Sequence, residues 1–127
     1  ERVADRHFNI KQTVTNLGNV AAFVAALHSG DLMLFGRSIH DALVEPIRAP
    51  LVPGFAEVKT AALAAGALGC SISGSGPSVF AFAAADGQAE IIAETMQEAF
   101  RQSGVTSDRF VGPVNTTGAR VLSSEEE

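Results

Sequence analysis

An α+β fold, with an antiparallel sheet backed by helices on one face, is the class this sequence predicts, and three observations carry it. Apolar residues recur at helical spacing in four separate segments. Two short runs of strand character flank a glycine-rich loop, Ser73 to Ser78. No regular β-α-β-α alternation joins these pieces, which argues against a parallel α/β sheet.

Taken in order, Val14, Leu17, Ala21, Val24 and Leu27 form one apolar stripe and predict a first helix that buries it, ended by Gly30. Asp31 is an N-cap for a second helix, whose Leu32, Phe35, Ile39 and Leu43 share a face and which Pro46 stops. The stretch Glu45 to Gly54, EPIRAPLVPG, holds three prolines and predicts an ordered, non-helical crossover, because each proline fixes φ and removes a donor. A third helix starts near Gly54, with Phe55, Val58, Ala62 and Ala65 inward, and Gly66 and Gly69 close it. Strands are expected at Ala67–Ile72 and Ser78–Ala84, around the loop Ser73-Gly74-Ser75-Gly76-Pro77. A last helix runs from Asp86 to Gln102 with Ile92, Met96, Ala99 and Phe100 on one face. Two further strands, Arg109–Val114 and Ala119–Leu122, are expected about a turn at Asn115–Gly118.

The 127 residues suit a single domain, residues 1–127. A net charge of −5 and a pI near 5.1 argue against a nucleic-acid partner, whose binding rests on clustered positive charge. Apolar runs fall short of the eighteen or so residues a membrane span needs, which argues against a membrane partner. One cysteine cannot form an internal disulfide, and no Cys and His cluster has metal-ligand spacing, so a cytoplasmic setting fits. The chain opens on Glu1 without a signal-peptide pattern and reads as a segment of a longer protein.

Chemistry concentrates in two places. In Ser73 to Ser78, SGSGPS, the glycines permit positive φ and let backbone N–H groups face an anion or carboxylate; the same loop also reads as a tight hairpin whose glycines serve only the turn. It is not a Walker loop, since no G-K-[ST] follows. Arg48, in the proline-framed crossover, offers a planar fork for a carboxylate or phosphate, or else a surface pairing with Glu45 or Asp41. His7, His28 and His40 show no catalytic or metal pattern. Cys70 reads as a small buried hydrophobe, and Asn16 and Asn19 as weak helix formers that contact a ligand, a neighbouring domain or solvent.

The segments EPIRAPLVPGF (Glu45 to Phe55), GALGCSISGSGPSVFAF (Gly66 to Phe82) and NTTGARVL (Asn115 to Leu122) resemble the C-terminal half of the homoserine kinase family, within the GHMP small-molecule kinase superfamily. The SGSGP loop is similar to that superfamily's third motif, and the resemblance runs from about Asn16 to Leu122. It implies a ferredoxin-like α/β sandwich and an enzyme that uses ATP and Mg²⁺ to phosphorylate L-homoserine to O-phospho-L-homoserine in threonine biosynthesis. It further implies that Arg48 holds the substrate carboxylate and that Gly74 and Ser75 present backbone groups to substrate. Ser73, Gly76 and Pro77 would support the phosphate loop, while Asp41 and Glu45 would fix the crossover. The resemblance implies a homodimer as well.

The family's ATP loop, P-x-x-x-G-L-G-S-S-A, has no match here. The N-terminal ATP-binding domain is therefore expected to be absent from this chain, and the chain alone is expected to be inactive. Two other readings stay open. One is another GHMP kinase with a mevalonate or sugar acceptor. The other is a non-catalytic amino-acid-binding regulatory domain, in which the same loop and Arg48 hold a carboxylate without reaction.

Overall fold

The structure, a computed structural model, describes residues 7–121. Helix α1 (Ile10–Ser29) begins at a capping box: the Asn9 side chain accepts from Gln12 N–H at 2.9 Å, and the Gln12 side chain accepts from Asn9 N–H at 3.2 Å. Gly30, at φ 70°, ends it by donating to the Ala26 carbonyl. Asp31 caps α2 (Leu32–Ser38) by accepting from Leu34 N–H at 2.9 Å.

The stripe expected to be buried on α1 faces outward instead. Val14 is 59% exposed, Leu17 66% and Leu27 61%. A second stripe, Gln12, Asn16, Asn19, Phe23 and Ala26, has the same helical spacing about half a turn away, and this more polar face packs inward. Its polar members have partners to meet. Asn19 Nδ2 donates to the His40 carbonyl at 2.6 Å, Asn16 Oδ1 accepts from Ala42 N–H at 2.7 Å, and Phe23 stacks on Phe35 with ring centroids 5.2 Å apart.

Helix α2 stops at Ser38, short of the stripe that reached Leu43. Beyond it Asp41 gathers the N–H groups of Leu43, Val44 and Glu45, which turns the chain instead of continuing the helix. The proline-rich crossover is not free of helix. It holds α3 (Glu45–Arg48), with Pro46 in its first turn, followed by a 3₁₀ turn at Ala49–Leu51 that contains Pro50. Proline lacks only a donor that a first turn would leave unpaired, so here it starts helices.

Helix α4 (Phe55–Ala64) buries Phe55, Val58 and Ala62, as their spacing predicts. Strands β1 (Gly69–Ile72) and β2 (Val79–Phe82) pair antiparallel, with Cys70 opposite Ala81 and Ser71 opposite Phe80. Cys70, Val79 and Ala81 pack with Ala62, Ala65, Met96 and Ile92, which places the core between the sheet, α4 and α5 (Asp86–Gln102). Alternation sends Phe82 to the other side, where its ring lies edge-on to Phe35 of α2 at 5.0 Å. The α+β class therefore holds, with helices meeting both faces of the hairpin where one was expected.

The sheet has two strands among the described residues. The strands expected at Arg109–Val114 and Ala119–Leu122 do not form: residues 105–121 carry no strand, Phe110 is 93% exposed, and Leu122 lies outside the described residues. The turn between them is present, with Asn115 Oδ1 accepting from Thr117 N–H at 2.9 Å. Strand-like sequence makes a strand only where a partner offers a ladder, and among the described residues no backbone hydrogen bond joins residues 109–121 to another segment.

Candidate functional site

Helix α3 is a single turn with no side-chain cap from its own N-cap residue, Val44, so its position is set by neighbours. Asp41 supplies the first restraint. Its Oδ1 accepts from Leu43 and Val44 N–H at 2.9 and 3.0 Å, its Oδ2 accepts from Glu45 N–H at 3.1 Å, and Asn16 Nδ2 donates to Oδ1 at 2.8 Å. Burial alone would raise the Asp41 carboxyl, but the Asn16 hydrogen bond and the three N–H groups outweigh it and hold it below its usual 3.8.

Glu45 supplies the second restraint. Its Oε1 pairs with Lys59 Nζ of α4, and its Oε2 accepts from the Ser71 hydroxyl of β1 at 2.7 Å. The Glu45 side chain is 12% exposed. Lys59 also lies over the Phe55 ring, 5.7 Å from its centroid.

Arg48 follows Glu45 by one turn. It pairs with neither Glu45 nor Asp41: its Nη1 donates to the Ser75 carbonyl at 3.3 Å, and its Nε is buried with no partner among the described residues. The structure thus brings Arg48 to the loop Ser73–Ser78. That loop is closed by Ser73 N–H donating to the Ser78 carbonyl at 2.8 Å and Gly76 N–H donating to the Ser73 carbonyl at 3.0 Å. Gly74 and Gly76 have φ of 58° and 78°, and the Gly76–Pro77 peptide is cis. The N–H groups of Gly74 and Ser75 find no acceptor among the described residues, and Ser73, Gly74, Ser75 and Pro77 are exposed.

A guanidinium held at the loop and two backbone donors without an acceptor among the described residues make a neighbourhood suited to an anion such as a carboxylate. Among the described residues no three His, Cys, Asp or Glu side chains converge to hold a metal ion. Cys70 sits behind the site in the core. Burial pushes its thiol up to about 11; Lys59 works against that rise and Glu45 adds to it.

Sequence reasoning placed Arg48 and the loop but missed Lys59 and Ser71. A lysine on a helix and a serine within an apolar strand are unremarkable until folding brings them to Glu45 across 14 and 26 residues of chain. Asn16 and Asn19 serve the loop at residues 40–42.

Over residues 23–102 the chain matches the family described as GHMP kinases C terminal. It is 53% identical over 115 residues to a homoserine kinase from Chlorobium phaeovibrioides, a match covering 89% of this chain and 36% of that protein. It is 43% identical over 113 residues to a homoserine kinase from Arabidopsis thaliana, covering 87% of this chain and 30% of that one. The crystal structure of a homoserine kinase from Cytophaga hutchinsonii superimposes with a TM-score of 0.74 at 48% identity, over 76% of this chain and 31% of that chain. The chain thus spans about a third of the length of these relatives. Motif, fold and a family match running from α1 to the end of α5 agree, and the chain belongs to the GHMP kinases, as their C-terminal part.

Proposed function

We propose that this chain forms the acceptor-binding part of a homoserine kinase, in which the γ-phosphoryl of ATP passes to the hydroxyl of L-homoserine, giving O-phospho-L-homoserine, ADP and a proton. The observation that carries this reading is Arg48, whose Nη1 rests on the Ser75 carbonyl while its Nε is buried and unpartnered. Anchored at the loop through one N–H of Nη1, the planar cation keeps further N–H groups of its fork to offer, and an α-carboxylate fits that fork. The Gly74 and Ser75 N–H groups, which have no acceptor among the described residues, would join it in holding the phosphoryl acceptor. Ser73, Gly76 and Pro77 keep the loop in shape against the nucleotide's phosphates. Phosphoryl transfer depends mainly on positioning and charge stabilisation, and positioning of the acceptor is what these residues offer.

ATP and Mg²⁺ supply the phosphoryl group and charge neutralisation. Among the described residues no three His, Cys, Asp or Glu side chains converge on one point, and no step in this chain is routed through the metal. We assign both to the remainder of a longer enzyme, a cytoplasmic protein that works as a homodimer. No described helix is long and apolar enough to cross a membrane.

The test is an ATP-dependent assay of the complete protein with L-homoserine, mevalonate and galactose. Homoserine alone should turn over, and Arg48→Ala should raise its KM about 100-fold, equivalent to roughly 3 kcal/mol for a charge-assisted pair. Equal turnover of a carboxylate-free acceptor would overturn the reading. The purified 127-residue chain should give no product.

A further inference from the structure

We propose that Glu45 is a positioning residue for Arg48, acting through Lys59 and Ser71 rather than by touching substrate. The claim rests on the reading of Arg48 as the acceptor's anion holder. Both Glu45 oxygens are committed, one to Lys59 Nζ and one to the Ser71 hydroxyl, and among the described residues neither accepts from Arg48. Ser71 is 6% exposed, so the cluster is largely removed from water. A shielded ion pair adds little stability over an apolar contact of the same shape; what it adds is one allowed geometry.

That geometry has a use here. The contacts close into a ring: the Glu45 carboxylate holds Ser71 on β1, and β1 runs through Ile72 into the loop. The Ser75 carbonyl accepts from Arg48, and one turn of α3 returns to Glu45. Within α3, the Ala49 N–H donates to the Glu45 carbonyl, so Glu45 also closes the turn that carries Arg48. A helix of one turn cannot set the direction of a guanidinium unaided. Release of the Glu45 carboxylate lets α3 pivot on Asp41, and Arg48 then loses its register with the loop.

The test uses the complete protein and the variants Glu45→Gln, Ser71→Ala, Lys59→Met and Lys59→Arg. Glu45→Gln should raise the KM for L-homoserine about tenfold while kcat and the KM for ATP stay within about twofold, because only acceptor binding is misaligned. Lys59→Met should behave alike, and Lys59→Arg should restore values near wild type. If Glu45→Gln does not fold, Ser71→Ala, which removes one hydrogen bond and keeps the ion pair, should still raise the acceptor KM about threefold. In an Arg48→Ala background Glu45→Gln should add nothing further, since it acts through the missing group. Full additivity, or equal changes in both KM values, overturns the proposal.

A second readout is independent of turnover. With ¹⁵N-labelled arginine, the Arg48 Nε–H should exchange with solvent at least about tenfold faster in Glu45→Gln than in wild type. If Arg48→Ala leaves the homoserine KM unchanged, the carboxylate reading fails, and this exchange rate alone judges the positioning role. An unchanged rate overturns it.

Discussion

Arg48 reaches across 27 residues of chain to donate from Nη1 to the Ser75 carbonyl at 3.3 Å, and this bond fastens α3 to the glycine loop. The same guanidinium has other N–H groups on its fork left to offer, so one side chain is asked to bind protein and ligand together. Lysine has the charge but a single nitrogen, and cannot hold both in a fixed plane. Arg48→Lys in the complete kinase should therefore raise the homoserine KM at least about tenfold, as measured by initial rates at saturating ATP.

Two glycines separate crowding from backbone strain. A Cβ at Gly36 would collide with the Leu68 backbone carbonyl, which cannot swing away as a side chain would. Gly74 has open space around it and only a φ of 58° to justify the residue. Gly36→Ala should cost about 3 kcal/mol, and Gly74→Ala about 1 kcal/mol. Urea unfolding monitored by circular dichroism orders the two, and the reverse order would contradict the close approach of α2 to the sheet.

Asp41 makes stability depend on acid in a defined window. Its folded-state carboxyl titrates below 3.8, so it binds its proton less readily than in the unfolded chain. Its contribution is fully present above the unfolded value of about 4 and fades as pH falls through the lower folded value. Asp41→Asn cannot accept from Glu45 N–H at Oδ2, and should lose about 1 kcal/mol at neutral pH. Its unfolding midpoint should also fall less steeply than wild type as pH drops below about 4.

Cys70 is 2% exposed, and its thiol is pushed up to about 11, first by burial. Both properties suppress thiolate chemistry. Ellman's reagent at pH 8 should leave the folded protein unlabelled over the time in which the urea-unfolded chain reacts completely. Rapid labelling of the native state would show that the β1 core opens.

Local patterns made much of this legible. Phe55, Val58 and Ala62 announce the buried face of α4, and SGSGPS marks the loop, because each signal lies within a few contiguous residues. On α1, counting apolar residues favours Val14 and Leu17 for the buried face, whereas Asn16 and Asn19 are drawn inward by carbonyl and N–H groups at residues 40–42. Pro46 and Pro50 carry the signature of helix breakers, but a proline in a first turn starts a helix. Arg109–Val114 has strand composition without a neighbouring ladder, which composition cannot report. The partners of Glu45 were hidden because fold geometry, not sequence spacing, joins them.

The three bonds that frame the site, Asn16 to Asp41, Glu45 to Ser71 and Arg48 to Ser75, close loops of 25, 26 and 27 residues. Helical turns zip in well under a microsecond, whereas each of these closures must bring distant segments together before any bond repays it. The helices and the hairpin draw on local contacts alone, whereas the cradle around Arg48 exists only once segments 25 to 27 residues apart have met.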